Sequence, residues 1–182
     1  DQFGNCIAIA EFAERAAELR VESRIRLDHL PDNMPDFRIE DFARTYPFSY
    51  RSEQMPDLVP AIQRQYSDPN QEVYRWARQF LHRGGATDTA ALLMTISAAI
   101  HEGFSYERRV EPGTRDPALT LKLGRGSCRD LALLMIEAVR SLDLAARFVS
   151  GYLIQLVADQ KPVEGPAGPS ADFTDLHAWC EA

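Results

Sequence analysis

The chain has 182 residues, of which 45% are hydrophobic and 26% charged, and its formal net charge is −7. The length suits one globular domain of ordinary size with a small appendage. An acidic chain without a basic block argues against nucleic acid or an anionic membrane surface as partners, and no apolar run reaches the length of a membrane span.

Cysteine usage indicates the compartment. Cys6, Cys128 and Cys180 are an odd and sparse set, which does not fit a disulfide framework and favours a reducing compartment. No charged segment followed by an apolar one opens the chain. We therefore expect a cytoplasmic location.

The first part of the chain predicts two strands, at 4–13 and 18–29. In the second, apolar residues from Leu19 to Leu27 alternate with charged ones, the pattern of a half-buried strand. Residues 31–56 contain four prolines and little periodicity, which predicts an extended linker across the surface of the main domain.

The middle of the chain is helical in pattern. Helices are predicted at 57–66, 68–81, 88–100 and 116–123, because capping residues, prolines and glycines bound each stretch. A short strand is predicted at 104–107. Strands are also expected at 146–157 and 173–181, on either side of a Pro- and Gly-rich loop at 158–171.

A glycine-flanked cysteine lies where a loop becomes a helix, in Gly-Arg-Gly-Ser-Cys-Arg-Asp-Leu-Ala at 124–132. Ser127 is a good N-cap, and Asp130 three residues later completes a capping box. Cys128 is then the first helical residue, where backbone N–H groups and the helix dipole both favour a thiolate. For an arbitrary cysteine, a buried structural role is the more common alternative.

The same helix is largely apolar around its axis. Its polar residues share one arc of roughly 120° at about 100° per residue; they are Arg129, Asp130, Glu137, Arg140 and Ser141. Cys128 falls within the apolar arc, so the helix is expected to be largely buried with the cysteine facing inward. Helices followed by strands predict an α+β fold, with this helix packed on an antiparallel sheet.

Two further motifs follow downstream: Ala-Arg-Phe-Val-Ser-Gly-Tyr at 146–152 and His-Ala-Trp at 177–179. Together with the cysteine motif, and in this order, they resemble the transglutaminase-like family of papain-related thiol enzymes. The resemblance implies a papain-like transglutaminase core, with Cys128 as nucleophile and His177 as its base. It also implies an acid shortly after the His-Ala-Trp strand, to which no residue of this chain can be matched.

The resemblance also suggests a domain organisation. The family has a β-rich N-terminal domain that ends in a similar Asp-x-x-Gly-Asn stretch and a charged strand. Residues 1–30 are accordingly interpreted as the tail of an N-terminal β-sandwich-type domain with remnant strands, and 31–56 as the linker. Residues 57–182 are interpreted as a catalytic core that is incomplete at its C-terminal end.

Several residues near the motifs have competing interpretations. Gly126 is either a turn residue or a small residue that lets substrate approach the thiol. Tyr152 and Trp179 are the aromatic residues expected nearest the cleft, and we predict substrate binding for them and for Gly126. Arg147 is expected to be a buried, paired arginine, and Asp130 to be a helix cap rather than a catalytic acid.

A zinc site built from Cys128, His177, Cys180 and Cys6 is the competing interpretation of the site. His177 and Cys180 are an odd number of residues apart on one strand, so their side chains point to opposite faces. There is also no Cys-x-x-Cys pair and no calcium-type acidic loop. We therefore predict no metal and no cofactor.

The resulting functional prediction is thiol-dependent hydrolysis or acyl transfer on peptide or glutamine-type amides, through a Cys-His thioester. The sequence does not choose between a protease, a deamidase and a transglutaminase. The alternative is a catalytically silent interaction module that keeps the fold. The expected partner is a protein or peptide substrate, with neither nucleic acid nor membrane.

Overall fold

The computed structural model describes residues 7–22, 24, 26, 38–155 and 173–182. The chain divides into two compact units, Asp1–Phe37 and Arg38–Ala182. Within the described residues, every helix and strand lies in the second unit. No helix in those ranges is both long and apolar enough to cross a membrane.

In the first unit, the described residues 7–22, 24 and 26 form no strand, although the sequence predicts strands over 4–13 and 18–29. Leu19 and Val21, the apolar residues of the alternating pattern, are 73% and 84% exposed. Alternation favours a strand only where one face has a surface to bury against. These residues bury no such face.

The second unit contains short strands and five α-helices within its described residues. In chain order the elements are a 3-10 helix at Asp41–Ala43, β1 at Thr45–Tyr46, α1 at Met55–Ile62, α2 at Glu72–Arg78, β2 at Thr87–Asp88, α3 at Thr89–Gly103, β3 at Ser105–Tyr106, α4 at Pro117–Leu123, β4 at Arg125–Gly126, α5 at Cys128–Arg140, β5 at Arg147–Gln155 and β6 at Phe173–Glu181. This is the predicted α+β class.

Capping side chains fix where α3 and α4 begin, as predicted. The Asp88 carboxylate accepts from the Ala91 N–H at 2.8 Å. The Asp116 carboxylate accepts from the N–H groups of Ala118 and Leu119 at 2.9 and 3.1 Å. Each bond satisfies a backbone donor that the helix itself leaves free.

The first two helices differ from their predicted bounds. Helix α1 begins at Met55 because Pro56 occupies its first turn, where the missing N–H costs nothing. Helix α2 begins at Glu72 rather than after Asp68, because Gln71 has a left-handed backbone with φ of 54°. Asp68 still accepts from the N–H of Glu72 at 2.7 Å.

Helix α5 lies at the centre of the second unit and packs against β6, α4, α2 and α3. Most of its apolar residues are buried, and they form one core with residues of α2, α3 and the segment before β5. The core residues are Val73, Ala77, Leu92, Ile96, Ile100, Leu134, Ile136, Ala138, Val139, Leu142, Leu144 and Ala146. The predicted burial of this helix is confirmed.

Three residues of the polar arc of α5, Asp130, Glu137 and Arg140, are also buried, because each charge has partners elsewhere in the chain. Glu137 is fully buried and accepts from Arg64 Nε and from the Gln65 N–H, both at 3.2 Å. Arg140 donates from Nε and Nη2 to the Ala146 carbonyl at 3.0 and 2.7 Å, and from Nη1 to the Gln63 carbonyl at 3.0 Å. Burial lowers the pKa of Arg140, and the Glu137 charge opposes that shift.

Strands β5 and β6 pair antiparallel along their whole lengths, with Gly151 opposite His177. The Ala178 side chain is buried and Cys180 packs against the core, so this face of β6 is the one against α5. Strand β6 has the predicted bounds, and β5 starts one residue later than predicted. The predicted loop at 158–171 lies outside the described residues.

The expectation for Arg147 is wrong. Its side chain is 73% exposed and pairs across the two strands with Glu181, at 2.6 Å between Nη2 and Oε2. The buried arginine that ties the sheet to a helix is Arg140, which contacts the residue just before β5. Helical periodicity places Arg140 in the polar arc, since it does not show the carbonyls of Gln63 and Ala146 that accept from its side chain.

Candidate active site

Cys128 is the first residue of α5, as the capping pattern predicts. Ser127 and Asp130 form the capping box: the Asp130 carboxylate accepts from the Ser127 backbone N–H at 3.0 Å and from its hydroxyl at 2.9 Å. The Cys128 side chain is partly buried. It therefore lies at the positive end of a helix dipole while part of it stays accessible.

Asp130 is a fully buried carboxylate that organises the start of α5. Besides Ser127, it accepts from Arg109 Nε at 2.9 Å, from Arg109 Nη2 at 3.1 Å and from the Arg115 backbone N–H at 2.7 Å. Burial raises the pKa of this carboxyl, but hydrogen bonds from Arg115, Ser127 and Arg109 outweigh burial and lower the pKa to about 2. The predicted structural role of Asp130 fits this arrangement.

The segment at 107–115, called here the cleft wall, is held to α5 by arginines. Arg129 donates from Nη2 to the carbonyls of Arg109 and Glu111 at 3.3 and 3.1 Å. Arg109 also donates to the Gly113 carbonyl at 3.0 Å. Arg115 donates to Glu107 and to the Arg125 carbonyl. Hydrogen bonds thus join the cleft wall to α5 and to the residues that lead into Cys128.

A short parallel pairing joins the same two parts. Strand β3 pairs with β4, with Tyr106 opposite Gly126. The Ser105 N–H donates to the Gly124 carbonyl and the Glu107 N–H to the Gly126 carbonyl, both at 2.9 Å. Tyr106 is thereby fixed beside the backbone that leads into Cys128.

A cleft of about 450 Å³ opens between the cleft wall, the first turn of α5 and the β5–β6 sheet. Its lining residues are Tyr106, Arg108, Arg109, Val110, Ser127, Cys128, Arg129, Phe148, Ser150, Asp175, Leu176, His177 and Ala178. Cys128 and His177, which are 49 positions apart in the chain, therefore line one cleft. Among the described residues, no hydrogen bond joins their side chains.

Asp172 and Asp175 are the acids nearest to His177 in the sequence. Asp175 lines the cleft, and its Oδ1 accepts from the Leu176 N–H at 2.8 Å. Asp172 lies outside the described residues. No described carboxylate is hydrogen-bonded to His177, and the group that would orient its ring stays unassigned.

The three predicted substrate-binding residues do not line this cleft. Gly126 is buried, and a Cβ added there would lie 2.8 Å from the Asp130 Cβ. Trp179 lies over Gly151, whose added Cβ would lie 2.8 Å from the indole. Tyr152 is 53% exposed. Close packing explains why positions 126 and 151 are glycines. Substrate binding by Gly126, Tyr152 and Trp179 stays a prediction.

Cys180 is separated from the cleft by its packing. Its side chain lies against the core, and burial raises its pKa to about 11. Cys6 lies outside the described residues. In the described part of the chain, no three residues of the His, Cys, Asp and Glu types are placed to hold a metal ion together.

The cleft includes residues that the sequence motifs did not single out. The motifs point to Tyr152 and Trp179 as the aromatic residues of the cleft and do not include Tyr106. Arg108 and Val110 lie in a surface segment without periodicity, which gives no local signal.

Comparison with known families fits this architecture. A model of the transglutaminase-like superfamily matches residues 66–182, which is well over half of the chain. The chain belongs to the transglutaminase-like superfamily. The match covers α2 to α5 and both strands of the long hairpin, and so includes every residue of the cleft. The resemblance found in the three sequence motifs is confirmed.

A solved structure shows the same fold. The chain is similar to "a Putative Cysteine Protease from Cytophaga hutchinsonii", with a TM-score of 0.51 and 22% sequence identity. The similarity covers 69% of this chain and 37% of that chain, so the present chain corresponds to little more than a third of its neighbour. A comparison with curated proteins finds no match.

Proposed function

We propose that the protein is a thiol enzyme that transfers or hydrolyses the acyl group of peptide or glutamine-type amides, with Cys128 as nucleophile and His177 as general base and acid. The observation that carries the proposal is the position of these two residues in one cleft, with the thiol on the first turn of α5. Thiolate at a helix N-terminus and imidazole within the same cavity are the two groups that such chemistry requires.

The proposed reaction has two stages. The Cys128 thiol gives its proton to the His177 imidazole, its Sγ attacks the amide carbon, an S–C bond forms and the carbonyl oxygen becomes an oxyanion. The C–N bond then breaks, and the leaving nitrogen takes a proton from the His177 imidazolium. Water or an amine, deprotonated by His177, next attacks the thioester. The C–S bond breaks, which yields an acid or a new amide and regenerates the thiol.

The preformed support of the thiol favours catalysis over a merely structural cysteine. No hydrogen bond joins Asp130 to Cys128. The hydrogen bonds of Asp130 with Ser127 and Arg109 nevertheless fix the turn on which the thiol lies. Catalytic geometry has to be held within about half an ångström. The same rigidity would be unnecessary for a cysteine that only fills space.

The test uses a glutamine-containing dipeptide with and without hydroxylamine. Ammonia released without hydroxylamine measures hydrolysis, and hydroxamate formed in its presence measures transfer, which also releases ammonia. Cys128→Ala and His177→Gln should each abolish both products, whereas Cys180→Ala, which changes the other described cysteine, should keep them. Full activity in Cys128→Ala would overturn the proposal.

A catalytically silent interaction module is the second candidate. The observation in its favour is that, within the described residues, no hydrogen bond joins Cys128 to His177 or His177 to a carboxylate. The same assay separates the two candidates. A wild-type chain with no turnover on either product, and a Cys128 thiol that alkylates no faster than a free thiol, would support the module.

A further inference from the structure

The proposed mechanism needs two donors for the oxyanion that forms on the carbonyl oxygen, and the Cys128 backbone N–H at the start of α5 supplies one. The second donor has to lie in the same cleft, carry a proton at neutral pH and be free of other partners. The following inference rests on the proposed function.

Tyr106 meets the positional requirement. It lies on β3, paired with Gly126, which is two residues before Cys128. Main-chain hydrogen bonds on both sides of Tyr106, from Ser105 to Gly124 and from Glu107 to Gly126, hold it there at 2.9 Å each. Its side chain lines the cleft together with Cys128 and His177.

The Tyr106 hydroxyl is also available. Among the described residues it has no hydrogen-bond partner, and the residue is 62% exposed. Arg108 and Ser150 also line the cleft without a hydrogen bond among the described residues, but neither lies on the strand that pairs with Gly126. Of the other cleft donors, the Ser127 hydroxyl donates to Asp130 and the Arg129 guanidinium to wall carbonyls. Arg109 is likewise engaged with Asp130.

The phenol keeps its proton at neutral pH. Partial burial raises the pKa of Tyr106 above its ordinary value of 10.0, and the negative charges of Cys128 and Asp175 raise it further. The nearby positive charge of Arg108 opposes this rise in the pKa. The effect of the Cys128 charge also indicates that the phenol and the thiol lie within electrostatic range of each other. A neutral phenol is a hydrogen-bond donor, which a phenolate is not.

We infer that Tyr106 donates the second hydrogen bond to the oxyanion formed when Cys128 attacks an acyl carbon. The hydroxyl would touch the reacting oxygen, which makes Tyr106 a catalytic residue for acyl transfer. Because the charge it stabilises exists only during attack on a carbonyl, the hydroxyl should matter for acylation and not for alkylation of the same thiol.

The test compares two reactions of Cys128 in the full chain. Acylation is followed with p-nitrophenyl acetate, in which the S–C bond forms through an oxyanion and p-nitrophenolate leaves. Alkylation is followed with iodoacetamide, in which the S–C bond forms as iodide leaves and no oxyanion develops. The variants are Tyr106→Phe, which keeps the ring as a wall, and Tyr74→Phe as control, because Tyr74 packs against the core and does not line the cleft.

Tyr106→Phe should lower acylation about 100-fold and leave alkylation within about twofold of wild type, with an unchanged melting temperature. Tyr74→Phe should change neither rate. Equal acylation in wild type and Tyr106→Phe would overturn the inference while leaving Cys128 as the nucleophile. An equal fall in both rates would overturn it as well, since it would assign Tyr106 to activation or support of the thiol. Undiminished acylation in Cys128→Ala would instead overturn the proposed function.

Discussion

Arg109 and Asp130 form a bidentate ion pair beneath the cleft, with Arg109 Nε 2.9 Å from Asp130 Oδ2 and Nη2 3.1 Å from Oδ1. One partner belongs to the cleft wall and the other to the first turn of α5. The pair is largely removed from solvent, because 15% of the Arg109 side chain and none of the Asp130 side chain is exposed. Geometry of this kind fixes direction as well as distance.

Replacement of Asp130 by Asn should destabilise the fold by about 3 kcal/mol at neutral pH, because Arg109 loses its buried counterion. The Asp130 pKa is lowered from 3.8 to about 2 on folding, so the unfolded chain takes up the proton more readily between those values. Wild-type stability from this group is full above pH 4 and declines as pH falls towards 2, by about 2 kcal/mol in total. Urea unfolding at a series of pH values measures both effects.

The difference in the free energy of unfolding between wild type and Asp130→Asn should therefore become smaller below pH 4. Asp41→Asn is the control, because the Asp41 carboxylate is 92% exposed and, among the described residues, pairs only with Arg44 at the surface. Its effect should be small at every pH. A difference for Asp130→Asn that stays constant from pH 5 to pH 2 would contradict the role assigned to the charge.

Iodoacetamide should modify Cys128 faster than Cys180. Cys128 is partly accessible at a helix N-terminus, whereas burial raises the pKa of Cys180 to about 11 and keeps its thiol protonated. Mass spectrometry of digests taken over time gives the rate at each site. Cys6 is also predicted to react more slowly than Cys128. In urea, where both thiols are exposed, the two rates should become equal. Equal rates at Cys128 and Cys180 in the folded protein as well would show that Cys128 is not activated.

Arg140→Met should cost roughly 3–5 kcal/mol, because it leaves the carbonyls of buried Ala146 and of Gln63 without their Arg140 donors and removes a buried charge near Glu137. Arg147→Met is the matched control. Its ion pair with Glu181 is exposed, and such pairs contribute about 1 kcal/mol or less. Chemical denaturation of both variants measures the difference. Similar losses for the two would mean that burial of Arg140 does not determine its contribution.

Gly126→Ala should destabilise the protein by about 1–3 kcal/mol through overpacking. The new Cβ would lie 2.8 Å from the Asp130 Cβ and 3.4 Å from Thr120 Cγ2, and the hydrogen bonds of Asp130 prevent it from moving aside. Gly85→Ala should be nearly neutral, because nothing lies within 4 Å of its added Cβ. Thermal unfolding compares the two. A neutral Gly126→Ala would remove the packing explanation and return this glycine to a role in substrate approach alone.

The elements that the sequence predicted well are those with local signals. Ser127 and Asp130 fix the start of α5 within four residues of chain, and the strand predicted at 173–181, after the Pro- and Gly-rich stretch, has the observed bounds of β6. The order of three motifs was enough to identify the superfamily. Each of these signals depends on neighbours in sequence, which a single chain displays directly.

The parts that could not be predicted depend on distant partners. Arg140 reads as a surface residue in a polar arc, and only its acceptors at Gln63 and Ala146 make it a buried one. Arg147, expected to be buried, has its partner on the exposed side of the sheet. Alternation at 18–29 predicted a strand because periodicity carries no information on whether a second layer exists. Tyr106 lies on the short strand predicted at 104–107, but its place in the cleft depends on the pairing of that strand with Gly126, which the sequence does not show.

Neighbouring side chains of the cleft wall have different contacts. Arg109 turns inward to Asp130, while Arg108 and Val110 on either side line the cleft without any hydrogen bond among the described residues. Selection can therefore alter the charge or size of these two positions without disturbing the support of Cys128. Under the proposed function, changes at 108 and 110 alone would redirect the substrate specificity of the cleft.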